Sequence, residues 1–201
     1  MSAHGMNVAV IFYSLHGDTA ALAAAVAQGA EQAGATVRLR QIEGLAPPQD
    51  RWSSSERIRA TRERLASVPL ARHADLFWAD AIALGSPARY GAMSAELRRF
   101  LDGSGQLAGD LAGKVACVFC SPSPIQGAQR AALHAMIASL LRHGVIVQAP
   151  ARAQMDPVET TSAAARRGPP GASLEEAPGL DLARARALGR RLALLGNRIH
   201  G

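Results

Sequence analysis

Residues 6–30 read MNVAVIFYSLHGDTAALAAAVAQGA, and the short stretch YSLHGDT at 13–19 decides how the rest is to be read. Before it stands a continuous apolar run of the kind found in a strand buried on both faces. After it an alanine-rich helix follows at once over 19–33, closed by Gly34. A bare turn has no need of so many specialised residues. Ser14 and Thr19 offer hydroxyls and Gly17 lets a ligand approach the backbone, while a helix start presents free N–H groups at its positive dipole end. Two readings follow: the loop holds a phosphate, or Asp18 or Thr19 merely caps the helix. The charge of Asp18 opposes an anion unless it points away. The spacing excludes both GxxxxGK[ST], the triphosphate loop, and GxGxxG, the dinucleotide loop.

Working outward, the pattern alternates. TVRLRQI at 36–42 places Val37 and Leu39 on one strand face and Arg38 and Arg40 on the other. Residues 44–74 break the rhythm with LAPPQD, a polar helical stretch SSSERIRATRERLAS, and VPLARH. DLFWA leads into a third strand, DAIALGS, followed by the loop SPARYGAM and the short helix SAELRRFLDG. A fourth strand, KVACVFC, a loop SPSPIQG, a long helix over 128–144 and a fifth strand, VIVQAP, come next. The segment 151–178 is rich in Pro, Gly, Ala and Arg, and a final helix covers 181–199. Strands alternating with helices predict an α/β fold with a parallel sheet covered on both faces, wound both ways. In such sheets ligands sit beyond the carboxyl ends of the strands, where the winding reverses. Three loops therefore matter: those after the first, third and fourth strands. GSPARYG carries a stiffening Pro87, two glycines and Tyr90, and suits the edge of a planar ring. CSPSPIQGAQ offers Ser121, Ser123, Gln126 and Gly127 to the same ligand.

Composition narrows the function. At 201 residues, with 48% hydrophobic and 19% charged residues, the chain buries a core without disulfides or metals. The net charge is +6 and Lys114 is the only lysine, but the arginines are scattered and aromatics make up just 4%, which argues against nucleic acid. Cys117 and Cys120 sit three apart in a strand, so they face opposite sides and share neither a metal nor a disulfide. No histidine cluster has metal-ligand spacing; His73, His134 and His200 stand alone. No apolar stretch reaches a membrane span, and MSAHGMNVAV lacks the features of a signal peptide, so the cytoplasm is the expected compartment.

YSLHGDT, GSPARYGAMSAELRRFLD and KVACVFCSPSPIQGAQ, with LLRHGVIV, RRGPPGAS and DLARARALGRRLALL, resemble the flavodoxin-like NAD(P)H:quinone oxidoreductases of the WrbA type. The resemblance covers most of the chain and is weakest over 44–74 and 148–166. It implies a flavodoxin-like, doubly wound five-stranded parallel sheet in the order 2-1-3-4-5, with helices on both faces. Residues 1–201 then form one such domain, with an insertion-like segment at 44–74 and an irregular one at 148–178. It implies non-covalent FMN, electron transfer from NAD(P)H to a quinone, and a homo-oligomer, dimer or tetramer.

Carried over by motif, Ser14, His16, Gly17, Asp18 and Thr19 surround the FMN phosphate. Pro87, Ala88, Arg89, Tyr90 and Gly91 run beside the ring, and Ser121, Ser123 and Gln126 approach the ribityl chain and ring edge. Arg142 takes the place of a family histidine. The flavin performs the chemistry, and Tyr90 is the one candidate for a hydrogen-bond donor at the open face. The chain departs from the family at SPSPIQG, where a glycine- and threonine-rich loop is usual and where proline removes N–H donors. It also lacks an aromatic residue at Ala108 and a tyrosine in RRGPPGA. Those departures motivate an alternative, a flavodoxin-like binding or regulatory module with a degenerate site. A one-electron flavodoxin-type carrier is the other alternative, disfavoured by the basic charge.

Overall fold

The computed structural model describes residues 5–45, 55–107, 109–123, 125, 127–149 and 182–200. The elements are β1 (Asn7–Phe12), α1 (Asp18–Gln32), β2 (Thr36–Gln41), α2 (Glu56–Leu65), α3 (His73–Trp78) and β3 (Ala81–Pro87). They continue with α4 (Ala95–Gly103), a 3₁₀ turn (Ser104–Leu107), β4 (Val115–Ser121), α5 (Ala128–Arg142), β5 (Ile146–Val147) and α6 (Leu182–His200). The five strands are parallel and ordered β2-β1-β3-β4-β5, as the resemblance implied. The irregular segment read at 148–178 lies almost wholly outside the described residues.

Period-two alternation sorts the side chains of β1 between two cores. Val8, Val10 and Phe12 pack with Leu22, Val26 and Ala30 of α1 and Leu188 and Leu192 of α6. Ala9, Ile11 and Tyr13 face the other way, toward Leu76 of α3, Leu97 and Leu101 of α4, and Met136 and Leu140 of α5. Each fully buried large side chain contributes roughly 1.5–3 kcal/mol, so both layers are needed. Cys117 belongs to the first core and Cys120 to the second, as the strand geometry requires. Both thiols are pushed up to about 12 by burial.

β2 is an edge strand, and each face is managed separately. Val37 and Leu39 pack on the α1 core. Arg38 and Arg40 turn to the opposite face, where both bond the buried Asp75 carboxylate at 3.3 and 3.1 Å, and Arg38 stacks 3.9 Å over Trp78. The segment after α2 runs along the free side of the edge. Gln41 N–H donates to the Pro69 carbonyl, Ala71 N–H donates to Gln41, and the Gln41 amide donates to the carbonyls of Leu65 and Val68. The stretch DLFWA, read as a lead-in to β3, is mostly helical: a six-residue helix is too short to show a periodicity of 3.6. β5 is shorter than the six-residue VIVQAP, although Gln148 N–H still donates to the Ala116 carbonyl.

α1 and α6 cross in backbone contact. A Cβ on Gly29 would fall on the Arg186 carbonyl, and one on Gly189 would fall on the Val26 carbonyl. Only glycine permits that approach. Among the described residues, no helix is long and apolar enough to cross a membrane.

Candidate functional site

The sheet reverses its winding between β1 and β3, and there Tyr13 N–H donates to the Gly85 carbonyl, bringing the first two loops side by side. Ser14 Oγ accepts the Gly17 N–H at 3.1 Å. Gly17 is itself the N-cap of α1, with φ 98° in the left-handed region, and no side chain caps the helix. The capping alternative therefore fails: Asp18 and Thr19 are already inside the first turn. Thr19 is buried and its hydroxyl bonds to Ser121 Oγ at 3.2 Å, tying the first loop to the third. Asp18 is engaged by Arg57 of α2, whose Nη2 lies 2.6 Å from the carboxylate, while Arg57 Nε donates to the His16 carbonyl at 3.0 Å. The anion that counted against a phosphate is thus paired with a cation.

His16 reaches solvent, yet its pKa is lowered, first by desolvation and then by Arg57, with Asp18 pulling the other way and Arg89 adding to the depression. Desolvation is the main cause, and the two guanidinium groups add positive potential at this loop against the carboxylate of Asp18. Beneath it a crevice of about 170 Å³ is lined by Tyr13, Ser14, Arg62, Arg89 and Glu96, among others. The Tyr13 hydroxyl is pushed well above its ordinary range by burial and by Glu96, which accepts its hydrogen bond.

The second loop is a tight turn. Arg89 and Ala92 exchange both backbone hydrogen bonds, and the two residues between them have positive φ, 48° at Tyr90 and 80° at Gly91. That is the requirement of a type I′ turn, and for a tyrosine it costs about 1–2 kcal/mol. The turn is held in place by Ser86, whose Oγ accepts the Ser94 N–H at 2.8 Å and donates to the Pro87 carbonyl. Ser94 in turn caps α4. The strain places Tyr90 at the tip, 91% exposed, more than any other large hydrophobic residue described. Pro87 and Ala88 are half-buried at its base.

In the third loop Ser121 is buried and Ser123 Oγ accepts the Ile125 N–H. Gln126 lies outside the described residues. Gly127, φ 79°, is the N-cap of α5 and again no side chain caps the helix. Gln129, which the sequence reading passed over, donates to the Cys120 carbonyl at 2.9 Å and holds the loop to its strand. Two helices thus open on left-handed glycines without side-chain caps, although the Ala128 N–H of α5 already donates to the Ile125 carbonyl, whereas α4 uses a serine as its cap.

Ser14, His16, Gly17, Asp18 and Thr19 are brought together with Arg89 and Ser121. Arg142 is not. It ends α5, which runs antiparallel to β4, and the backbone just beyond it meets the start of that strand, where Ile146 N–H donates to Lys114. Within one chain Arg142 lies at the opposite end of the sheet from the three loops. Arg57 is the residue that sequence reasoning missed; it lies about forty positions from its partners in a segment read only as polar and helical.

The donor chemistry fits a flavin mononucleotide at the phosphate end: a glycine approach, side-chain-free helix amides and two guanidinium groups. Similarity points the same way. The family described as NADPH-dependent FMN reductase matches residues 6–154. An NAD(P)H dehydrogenase (quinone) of Solidesulfovibrio magneticus is 40% identical over 147 residues, 71% of this chain and 70% of that one. Its counterpart from Archaeoglobus fulgidus is 37% identical over 143 residues, 70% of this chain and 74% of that one. Among solved structures, the flavodoxin, WrbA-like protein from Agrobacterium tumefaciens superposes with a TM-score of 0.63 at 24% identity, over 97% of this chain and 99% of that chain, which establishes the flavodoxin-like fold. The chain belongs to the NADPH-dependent FMN reductase family.

Proposed function

We propose that the chain is an FMN-dependent oxidoreductase that transfers electrons from NAD(P)H to a quinone. The observation that carries this reading is the start of α1, where a left-handed glycine N-cap with no side-chain cap faces Arg57 and Arg89 at the reversal point of the sheet. When bound, FMN supplies the redox chemistry, for which the two buried, high-pKa cysteines are unsuited. Ser14, His16, Gly17, Asp18 and Thr19 form the phosphate end, with the free amides of the first turn as the principal donors. Pro87, Ala88, Arg89, Tyr90 and Gly91 border the ring, and the strained turn keeps the Tyr90 hydroxyl at the solvent face where donor and acceptor arrive in turn. Ser121, Ser123 and Gln126 serve the ribityl chain and ring edge. Arg142 is at the wrong end of the sheet for this site and enters it only from another protomer.

The experiment is a titration of purified protein with FMN, followed by NAD(P)H oxidation in the presence of a benzoquinone. Stoichiometric binding with flavin-dependent turnover is expected. Absence of binding at about 50 µM FMN, roughly −6 kcal/mol, overturns the flavoenzyme reading and favours a module with a degenerate site. We also propose that residues 1–201 act as one domain, in the cytoplasm, and assemble as a dimer or tetramer. Light scattering that gives a monomer mass at every concentration removes the last of these.

A further inference from the structure

α2 lies in the stretch where the chain's resemblance to its family is weakest, yet buried side chains and a hydrogen bond tie it to the rest of the fold. Ile58 and Thr61 are each only 1% exposed, the Thr61 hydroxyl donates back to the Arg57 carbonyl, and the last turn is gripped by Gln41 through the Leu65 carbonyl. This fixes where Arg57 stands. It is the second residue of the helix, where the dipole disfavours a cation, so intrinsic helix preference does not explain an arginine there. What it meets is the first loop: the His16 carbonyl on one side and the Asp18 carboxylate on the other. Arg57 remains 56% exposed, and a guanidinium has five N–H donors, of which those two bonds use two.

We propose that Arg57 is a specificity-determining residue for the phosphate end of the flavin, selecting the phosphorylated mononucleotide over unphosphorylated riboflavin. This rests on the flavoenzyme reading given above. Asp18 sits in the first turn of α1, beside the amides offered to the anion, and an unpaired carboxylate there repels a dianionic phosphate. Arg57 cancels that charge, holds the loop by its backbone and keeps N–H donors free for phosphate oxygens. Riboflavin has no phosphate and gains none of this. Arg64, exposed in the last turn of α2 and not part of the crevice lining, provides a control for net charge alone.

The test measures dissociation constants for FMN and for riboflavin by fluorescence quenching, in wild type and in four variants. Arg57→Gln is expected to weaken FMN at least tenfold while leaving riboflavin within twofold. Arg57→Lys, which keeps the charge without the fork, recovers part of the loss. Asp18→Asn combined with Arg57→Gln recovers most of it, since the repulsive carboxylate is gone. Arg64→Gln leaves the FMN-to-riboflavin ratio within twofold. An unchanged ratio in Arg57→Gln overturns the proposal, as does an equal fall in Arg64→Gln, which would reduce the effect to general charge. Wild-type protein that binds neither flavin overturns the flavoenzyme reading itself. Arg57 is half-exposed, and circular dichroism confirms that the variants compared are folded.

Discussion

At the amino ends of the strands, Lys114 donates its three N–H groups to the carbonyls of Leu76, Phe77 and Ala79, Asp80 accepts the Asn7 N–H, and Ser104 joins the Leu101 carbonyl to His143. At the carboxyl ends, α1 and α5 open on left-handed glycines without side-chain caps, a tyrosine is held in a strained turn, and Ile125 is half-exposed. One end spends its polar groups on itself. The other leaves two helix starts without side-chain caps and fixes the loops around them through serines and arginines placed behind. The amino end has one exception, His143 Nδ1, the only buried side-chain nitrogen or oxygen without a hydrogen-bond partner among the described residues. Stability and binding are therefore expected to respond to mutation at different ends.

The largest effect should come from the sealed end. Replacing Lys114 with Met leaves three carbonyls without their charged donor and should cost about 2 kcal/mol in urea unfolding, with FMN affinity within twofold of wild type. A tenfold loss of affinity would show that the two ends are coupled after all. Next is Gly17→Ala at the open end. A left-handed alanine costs about 1 kcal/mol, and the added methyl intrudes where the ligand must approach, so calorimetric binding should fall at least tenfold. Smaller still is Tyr90→Asn. Asparagine tolerates the left-handed region, so thermal unfolding should show a gain of about 0.5 kcal/mol, while quinone reduction slows. An asparagine variant that is both less stable and equally active would remove the idea that strain is retained for function.

The smallest effect concerns His16. Its folded pKa is lowered from the ordinary 6.5, so between the two values the unfolded chain holds more protons and stability rises with pH. Above 6.5 the contribution is flat. Unfolding free energies of His16→Gln between pH 5 and 7 should therefore show a shallower slope than wild type; identical slopes would show that the fold does not hold the imidazole's pKa down.

Features set by local periodicity were legible in the sequence. The apolar run of β1, the split of Val37 and Leu39 from Arg38 and Arg40, and the opposed Cys117 and Cys120 all follow from a repeat of two, and the parallel sheet follows from the alternation. The loops that matter follow from sheet topology. Features that depend on distant partners were not legible. Asp18 looks like a cap until Arg57 is seen to hold it, and nothing nearby in sequence announces that pair. Arg142 was recoverable: a crossover helix must end where the next parallel strand begins, at the far side of the sheet, and the motif correspondence overrode that geometry. Tyr90 next to Gly91 carried the signal of a left-handed pair, but only the exchanged bonds between Arg89 and Ala92 show the turn that uses it.

The crossing of α1 and α6 has a consequence for the far end of α1. Gly29 stands twelve residues from Gly17, about 18 Å along a helix that has no internal hinge residue near its start. With Val26 and Gly29 pressed against the backbone of α6, that crossing acts as a fulcrum, and the angle of α1 about it decides where the first-turn amides point. A single methyl added at Gly29 would tilt the lever and swing its tip. Positions remote from the crevice can thus set its aim, and a search for affinity changes confined to the loops would overlook them.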